Sequence, residues 1–229
     1  MTGWTLRHHG DSDLALELGS VIDPLVNARA LAIGERVRRA EHPGVRDVVE
    51  GYSSVTVTYD PLRTDVRRLS ALFVSAAEQE RGAEGSGREV MLPVCYGGTY
   101  GPDLGEVANR AGCTEDEVVA IHSEATYRVY MLGFLPGFAY LGSVSDRIVS
   151  PRRVTPRLRV PAGSVGIAGR QTGVYPLEAP GGWQLVGRCP VKVFDPGRAD
   201  PFLLRAGDSV RFEAVSGKEY TRMAGGTVS

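Results

Sequence analysis

The stretch Gly163-Ser-Val-Gly-Ile-Ala-Gly-Arg-Gln-Thr172 decides between two fold classes for the second part of the chain. Its glycines resemble those of a phosphate-binding loop, but they are spaced differently, and Arg170 stands where that loop carries lysine. Gly173 and Pro176 would also interrupt the helix that should follow such a loop. We therefore predict that the stretch forms β-turns between short strands.

The same pattern extends over a much longer region. From Ala125 to Ala214 the sequence consists of short β-type segments separated by glycine or proline, and 11 of the 14 prolines lie between Pro93 and Pro201. Strands of this kind often close into a barrel, because closure leaves no exposed edge. The sequence therefore predicts a β-barrel domain over residues 86–229, led by a strand at 89–95.

The first 85 residues follow a different pattern, β-β-α-β-β-α, so the whole chain is expected to be α+β. A sheet with two helices on one side would bury every apolar face. We therefore predict a small α/β domain over residues 1–85, of the ferredoxin-like sandwich type. The expected elements are strands at 4–8, 13–18, 45–50 and 54–59 and helices that begin at Asp23-Pro24 and near Thr64, followed by a Gly/Ser-rich linker at 81–87.

The charge balance and the cysteines limit the function classes. The chain has 229 residues, 26 Lys+Arg and 27 Asp+Glu, which argues against nucleic-acid binding through bulk positive charge. Cys95, Cys113 and Cys189 include no C-x-x-C pair, so neither a disulfide scaffold nor a zinc knuckle is expected. The N-terminal residues lack the apolar core of a signal peptide, and no apolar run approaches the ~20 residues of a membrane span. We expect a soluble, cytoplasmic protein.

Two short helices are predicted after residue 100, each from a cap signature. Asp103 with Glu106, and Thr114 with Glu117, each place an N-cap acceptor three residues before a carboxylate. The second helix carries His122 in its last turn. A single histidine at a helix end is either a cap or core partner or a general base.

Arginines are concentrated in one region of an otherwise acidic protein. Residues 131–190 contain seven arginines and two carboxylates, a net charge of +5; the arginines are Arg147, Arg152, Arg153, Arg157, Arg159, Arg170 and Arg188. Because an arginine fork binds carboxylate or phosphate in bidentate fashion, an anionic substrate or a nucleotide phosphate is one interpretation. The other is that these arginines form salt bridges to the N-terminal domain or to another protein chain.

Two further patterns could line a pocket. Residues 127–142 combine five aromatic residues with three glycines, and Gln171-Thr-Gly173 and Gly181-Gly-Trp-Gln184 place polar side chains beside flexible backbone. Aromatic faces and exposed N–H groups are the ingredients of a ligand site. A barrel strand with a hydrophobic turn, and ordinary turn chemistry, would give the same patterns.

The chain carries several spaced motifs between Leu92 and Phe212. They are Pro93-Val-Cys-Tyr-Gly-Gly98, Gly101-Pro-Asp103, Tyr130-Met-Leu-Gly-Phe-Leu-Pro-Gly-Phe138, Val160-Pro-Ala-Gly-Ser-Val-Gly-Ile-Ala-Gly169, Gln171-Thr-Gly173, Pro180-Gly-Gly-Trp183, and Phe194-Asp-Pro196 with Pro201 and Gly207-Asp208. On these motifs the chain resembles the family of the 5-oxoprolinase B-type subunits, which includes KipI and allophanate hydrolase subunit 1. Tyr52-Ser-Ser-Val55 and Tyr59-Asp-Pro61 extend the resemblance into the first domain.

The resemblance implies a cyclophilin-like β-barrel and one component of an ATP-dependent 5-oxoprolinase that is inactive alone. Its partners would be a C-type subunit, related to KipA or allophanate hydrolase subunit 2, and an A-type subunit of the LamB/YcsF family. ATP, with Mg, would be bound by the assembled complex, and the resemblance implies no metal or prosthetic group on this chain itself. The alternatives are a KipI-type inhibitor of a sensor histidine kinase, or a carboxyltransferase or allophanate hydrolase subunit in urea or amide metabolism.

The resemblance and the residue patterns together suggest a site. Phosphorylation of the lactam carbonyl oxygen would require cations to offset charge and donors aimed at the developing oxyanion. We assign His122 as general acid or base, and as substrate- or phosphate-binding residues Tyr130, Arg157, Arg159, Gln171, Thr172, Gly181, Gly182, Trp183 and Arg188. Arg170 and Ala139 depart from the family pattern, which commonly has Asn and Pro there, and the added charge of Arg170 could shift substrate preference.

Overall fold

The computed structural model of the chain describes residues 3–79 and 87–225. They form two compact units, and the division falls between Ser86 and Gly87. The first unit is a small α/β fold and the second contains a closed β-barrel, which confirms the predicted fold class. Apart from Gly87, the predicted linker at 81–87 lies outside the described residues.

In the first unit, four strands form one antiparallel sheet within residues 3–79. The strands are β1 (Thr5–His9), β2 (Asp13–Glu17), β3 (Val45–Glu50) and β4 (Ser54–Tyr59), and the helices are α1 (Pro24–Arg39) and α2 (Val66–Glu78). The spatial order is β1-β2-β4-β3. The elements from β2 to α2 therefore match the first five elements of a ferredoxin-like fold. The edge position next to β2, which the last strand of that fold occupies, is taken here by β1.

Local sequence signals explain these elements. The Asp23 carboxylate accepts hydrogen bonds from the backbone N–H groups of Leu25 and Val26 and so caps α1. Alternation along β4 buries Val55 and Val57 against both helices' apolar faces. The second helix, predicted to begin near Thr64, begins at Val66, and Asp65 provides its N-cap.

In the second unit, seven strands close into a barrel within residues 87–225. They are β5 (Glu89–Tyr96), β6 (Thr126–Leu132), β7 (Ala139–Gly142), β9 (Ser164–Ala168), β10 (Gln171–Val174), β12 (Gln184–Arg188) and β13 (Ser209–Ala214), in the order β10-β7-β6-β13-β5-β12-β9. The barrel thus leaves no free edge among these strands. A separate two-stranded sheet pairs β8 (Arg157–Val160) with β11 (Ala179–Gly181).

The helices of the second unit are α3 (Leu104–Ala111), α4 (Glu115–Glu124) and α5 (Gly217–Gly225), together with a 3-10 helix at Asp146–Ile148. The capping box of Thr114 and Glu117 is confirmed. The box predicted for Asp103 and Glu106 is wrong, because the Asp103 side chain makes no cap hydrogen bond to α3. Its carboxylate bonds instead to groups that are distant in sequence.

The hairpin of β9 and β10 confirms that the glycine-rich stretch 163–172 is strand and turn. Ala168 pairs with Gln171, which leaves Gly169 and Arg170 as a two-residue turn. Gly169 has φ +57, a conformation that glycine adopts readily at the first central position of such turns. Within the described residues, no helix has the length and apolar character needed to cross a membrane.

The capping box of α4 leads to a prediction about the stability of the second unit. Thr114→Ala removes the acceptor for the Glu117 N–H and should lower the free energy of unfolding by about 1 kcal/mol. The measurement is urea unfolding in a Trp4→Phe background, where Trp183 is the remaining tryptophan and reports on the barrel unit. Thr155→Ala, at an exposed position, is the matched control, and equal midpoints for the two variants would contradict the prediction.

Candidate active site

An aromatic cavity of about 250 Å³ opens on the outer side of the barrel. It is lined by residues from three separate parts of the second unit, namely Phe134, Phe138, Tyr140, Arg152, Pro156, Tyr175, Pro180, Gly181, Gly182 and Trp183. Its volume is somewhat smaller than the ~300–1,000 Å³ of pockets for drug-sized ligands, so it suits a small molecule.

Phe138 lies at the centre of the aromatic cluster. Its ring makes edge-on contacts with Tyr140, Tyr175 and Trp183 at centroid distances of 4.9, 5.3 and 5.4 Å. Such contacts fix ring orientation, because the positive edge of one ring meets the negative face of the next. Phe138 and Tyr175 are fully buried, and the cavity walls are therefore largely preformed.

Glycines make room for this cluster. Gly166 of β9 pairs with Gly173 of β10, and both lie beneath the Trp183 side chain. A Cβ on Gly173 would lie 3.2 Å from the Trp183 ring, and one on Gly166 would lie 3.0 Å from the Trp183 Cβ. A Cβ on Gly181 would overlap the Tyr175 hydroxyl. The glycines of these motifs are thus required by the packing of two aromatic side chains.

The segment 151–157 forms the basic wall of the cavity and contributes Arg152 and Pro156. Its backbone is fastened at two points. The Gln184 side-chain amide donates to the Pro151 carbonyl at 3.1 Å, and the Arg153 N–H donates to the Gly182 carbonyl at 2.7 Å. The Arg152 side chain is left exposed, where it can meet an anion that enters the cavity.

The Asp103 carboxylate fastens the same segment through side chains. One oxygen accepts from Arg157 Nη2 at 2.7 Å and from Arg153 Nη1 at 3.2 Å. The other oxygen accepts from the backbone N–H of Leu185 at 2.7 Å. Asp103 is almost fully buried, so both arginines are held by a carboxylate that has little access to water.

The Tyr175 hydroxyl adds a polar group to the aromatic walls. Burial raises the pKa of Tyr175 above its ordinary value. The phenol therefore stays protonated at neutral pH and can still donate one hydrogen bond. The cavity thus offers aromatic faces, the phenols of Tyr140 and Tyr175 and one arginine, a set suited to a small planar anion.

His122 lies in a different place, inside the unit's core. Its Nε2 is 2.9 Å from Thr172 Oγ1, and its Nδ1 is 2.8 Å from the Tyr96 hydroxyl. Because the Thr172 hydroxyl donates its proton to the Gly166 carbonyl at 3.0 Å, Nε2 is the ring nitrogen that carries hydrogen. The Tyr96 hydroxyl then donates to Nδ1, and both ring nitrogens are satisfied.

Burial also keeps the His122 imidazole neutral. The side chain is fully buried and stacks on Phe212 at a centroid distance of 4.6 Å. This burial lowers the pKa of His122 to about 3. Its geometry favours the role of a core partner that joins α4 to β5 and β10, one of the two interpretations that the sequence left open.

Comparison with known proteins identifies the family of the chain. The family model described as carboxyltransferase domain, subdomain C and D, matches residues 4–204. The B subunit of 5-oxoprolinase from Bacillus subtilis (strain 168) is 43% identical over 228 residues, which cover 95% of each chain. The chain belongs to the family of 5-oxoprolinase B subunits. The Escherichia coli O157:H7 protein of the same name is 44% identical over 89% of this chain and 92% of its own.

Solved structures of the family share the fold. TTHA0988 superposes with a TM-score of 0.81 at 44% identity over 93% of this chain, which spans 41% of the length of TTHA0988. PH0987 from Pyrococcus horikoshii superposes with a TM-score of 0.57 at 40% identity, covering 94% of this chain and all of its own. The K. lactis urea amidolyase, at 20% identity and a TM-score of 0.78 over 96% of this chain and 15% of its own, shows the fold alone.

The structure brings together only some of the residues that the sequence analysis assigned to the site. Gly181, Gly182 and Trp183 line the cavity. Thr172 lies on the opposite face of β10 from Gly173 and contacts His122. Arg157 lies behind the cavity wall, on Asp103.

The remaining assigned residues lie away from the cavity lining. Arg159 is exposed and lies 3.6 Å from Glu178. Arg188 lies at the end of β12 with its guanidinium 5.9 Å from the centre of the Tyr100 ring. Tyr130 is buried on β6 next to Gly142, and Gln171 begins β10. Arg170 contacts Asp146 beside the β9–β10 turn.

Sequence reasoning missed Arg152, Tyr175 and the two prolines of the lining. Arg152 was one of seven clustered arginines, and the fold separates their roles. Arg153 and Arg157 are bound to Asp103, whereas Arg147 and Arg170 pair with Glu117 and Asp146 of the same unit. The nearness of Pro156 and Pro180 to aromatic residues is the signal that could have located the cavity wall. That nearness depends on the pairing of β8 with β11, which the sequence alone does not show.

The neutral state of His122 predicts a pH effect. The folded pKa lies below the ordinary value of 6.5, so between pH 6.5 and 3 the unfolded chain binds a proton that the folded chain does not. The stabilising contribution is complete above pH 6.5 and is lost as the pH falls. Wild type should lose about 2 kcal/mol more of its free energy of unfolding between pH 8 and pH 5 than His122→Gln does. Parallel pH profiles would contradict the buried neutral state.

Removal of the Asp103 carboxylate should affect stability strongly. Asp103→Ala leaves two partly buried guanidinium groups without their shared partner and should cost about 3 kcal/mol of the free energy of unfolding. Asp146→Ala, which removes an exposed carboxylate from Arg170, is the control and should change stability little. The two variants are compared by urea unfolding, and similar midpoints would show that Asp103 is not the anchor of segment 151–157.

Proposed function

We propose that the chain is the B-type subunit of an ATP-dependent 5-oxoprolinase. It acts with a C-type and an A-type subunit to open 5-oxoproline to L-glutamate, and it is inactive alone. The observation that carries the proposal is the 43–44% identity, over 89–95% of the chain, to proteins named as the B subunit of 5-oxoprolinase. Six of the residues that line the cavity, Phe134, Phe138, Pro180, Gly181, Gly182 and Trp183, belong to the motifs on which the resemblance rests.

The chemistry of the cavity fits this substrate. 5-Oxoproline is a small, nearly flat lactam ring with one carboxylate. The ring can pack against Phe138 and Trp183, while Arg152 pairs with the carboxylate. The Tyr175 hydroxyl can donate to the lactam oxygen. Each of these groups lines the same cavity of about 250 Å³.

Lactam opening needs activation because the amide is stabilised by resonance. In the proposed reaction the γ-phosphoryl group moves from ATP to the lactam oxygen, and ADP leaves. Water then adds to the ring carbon and the C–N bond breaks, which leaves an acyl phosphate on the open chain. A second water cleaves the acyl phosphate to the carboxylate of glutamate and free phosphate. ATP, with Mg, is bound by the assembled complex. The contribution of this chain is to bind the ring between the aromatic walls and to hold its carboxylate on Arg152.

Carboxyl transfer receives less support. The urea amidolyase of Saccharomyces cerevisiae is 22% identical and this chain covers 13% of it. The solved urea amidolyase and urea carboxylase of Kluyveromyces lactis are 20% and 19% identical. These likenesses carry the fold and do not select urea as a substrate. A urea-dependent assay is therefore one arm of the activity test.

The activity is tested with the three subunits purified together. We expect 5-oxoproline to stimulate ADP release and to yield glutamate in equal amount, and we expect neither from this chain alone. Urea and bicarbonate, supplied with a biotin carrier and a biotin carboxylase, should give no urea-dependent release of ADP. An assembled complex that turns over urea and not 5-oxoproline would overturn the proposal.

The role of Arg152 gives a separate prediction. Arg152→Ala should raise the KM for 5-oxoproline at least about tenfold, the equivalent of one lost charge-assisted hydrogen bond, with a smaller change in kcat. Arg110→Ala removes an exposed arginine that pairs with Glu106 on α3 and should leave KM unchanged. Equal KM values for the two variants would place carboxylate recognition elsewhere.

A further inference from the structure

A second cavity, of about 180 Å³, lies in the barrel unit. Its lining comes from the turn before β9, the end of β10, the segment after β12, and Tyr220 of α5. It shares Tyr175 with the aromatic cavity and, among the described residues, no other lining residue. Since liquid water takes up about 30 Å³ per molecule, the second cavity has room for a few waters or for one small ion.

Backbone hydrogen bonds hold three of these four parts of the wall together. The Gly163 N–H donates to the Tyr175 carbonyl at 2.7 Å, and the Gly163 carbonyl accepts from the Cys189 N–H at 2.8 Å. Gly163 has φ +79, and a Cβ at this position would lie 2.3 Å from the Cys189 carbonyl oxygen. The close approach of the strands therefore requires glycine, and the wall is preformed.

Arg188 adjoins the second cavity, and no carboxylate within residues 3–79 and 87–225 lies at ion-pair distance from it. A Cβ on Gly163 would lie 3.4 Å from the Arg188 Cγ. The guanidinium carbon is 5.9 Å from the centre of the Tyr100 ring, which packs on Tyr220 with ring centres 4.5 Å apart. The Arg188 charge is thus held on aromatic rings and is not neutralised by an acidic side chain.

Two further cations lie beside the same wall and share one carboxylate. Lys192 lines the cavity, and its Nζ is 3.6 Å from Asp195 Oδ2. The same oxygen is 3.9 Å from Arg198 Nε. Together with Arg188 these residues make three cations and one carboxylate, a net charge of +2. An anion in the cavity would be attracted by this excess of positive charge.

The other ionisable groups at the cavity add no opposing charge. Burial raises the pKa of Tyr220, although the nearby charge of Arg188 acts in the opposite direction, so the phenol stays protonated and can donate. Burial raises the pKa of Cys189 to about 12, so its thiol stays neutral. Glu219, next to Tyr220 on α5, accepts hydrogen bonds from the N–H and the hydroxyl of Ser216 at the start of that helix.

We propose that the second cavity binds a phosphoryl group, with Arg188 and Lys192 as charged donors and Tyr220 as a neutral donor. A phosphoryl group offers three acceptor oxygens and carries a charge of about −1.5 to −2 at neutral pH, whereas a carboxylate has two oxygens and a single charge. A guanidinium, an ammonium and a phenol around one small cavity match the phosphoryl group better. This site is separate from the cavity assigned to 5-oxoproline, so either can exist without the other.

The experiment measures binding of inorganic phosphate to the full chain by phosphorus NMR titration at constant ionic strength. We expect saturable binding to wild type, and we expect Arg188→Gln and Lys192→Gln each to weaken it at least about tenfold, the equivalent of one charge-assisted hydrogen bond. Lys192 is exposed, so its variant should fold normally even if Arg188→Gln is destabilised. Arg211→Gln, which removes an exposed arginine of β13 that lies 4.0 Å from Glu89, is the matched control and should bind like wild type.

Further ligands and one further variant separate the alternatives. If ADP binds more tightly than phosphate and Arg188→Gln weakens both, the bound group is the phosphoryl end of a nucleotide. ADP that binds no more tightly indicates free phosphate, and both results support the site. Acetate that binds as tightly as phosphate would contradict the ligand class.

Two results overturn the proposal. One is the lack of saturable binding of both phosphate and ADP to the folded wild-type chain. The other is phosphate binding that Arg152→Gln weakens while Arg188→Gln and Lys192→Gln leave it unchanged. In that case the anion is bound by the aromatic cavity, and the proposed function is unaffected.

Discussion

The buried carboxylate of Asp103 organises the cavity side of the barrel unit. Its two oxygens connect the residue before α3 with the backbone of β12 and with the two arginines of segment 151–157. Without a regular element of its own, this segment depends on such cross-links for its position. The wall that carries Arg152 and Pro156 is thus set by one acidic side chain about 50 residues earlier in the sequence.

The local parts of the fold could be predicted from sequence because their causes are local. Asp23 caps α1 through neighbouring N–H groups, and Thr114 with Glu117 does the same for α4. The glycine-rich hairpin follows from one glycine in its turn. Asp103 shows the limit of this reasoning, since a carboxylate three residues before a glutamate satisfies the cap pattern while its actual partners are arginines 50 and 54 residues away.

The candidate site was predictable only in part, for the same reason. Gly181, Gly182 and Trp183 could be predicted because they are consecutive in the sequence, so one short motif contains all three. Arg152 could not be distinguished from six neighbouring arginines until the fold assigned carboxylates to several of them. His122 is a single polar residue on a mostly apolar helix face, a pattern common to catalytic and core histidines. The partners of His122 are Tyr96 on β5 and Thr172 on β10, and its ring is fully buried. None of these features can be read from the sequence around His122.

The strand order of the barrel has a consequence for how the chain folds as it is synthesised. β13, the last strand in the sequence, lies between β5 and β6, the first two, and runs parallel to β5. The barrel therefore cannot close until Ala214 has left the ribosome, whereas the first unit needs only its own local pairings. Until then β5 and β6 each present an unpaired edge to other nascent chains. A transcript that ends before β13 would thus give a folded first unit attached to an open, association-prone sheet.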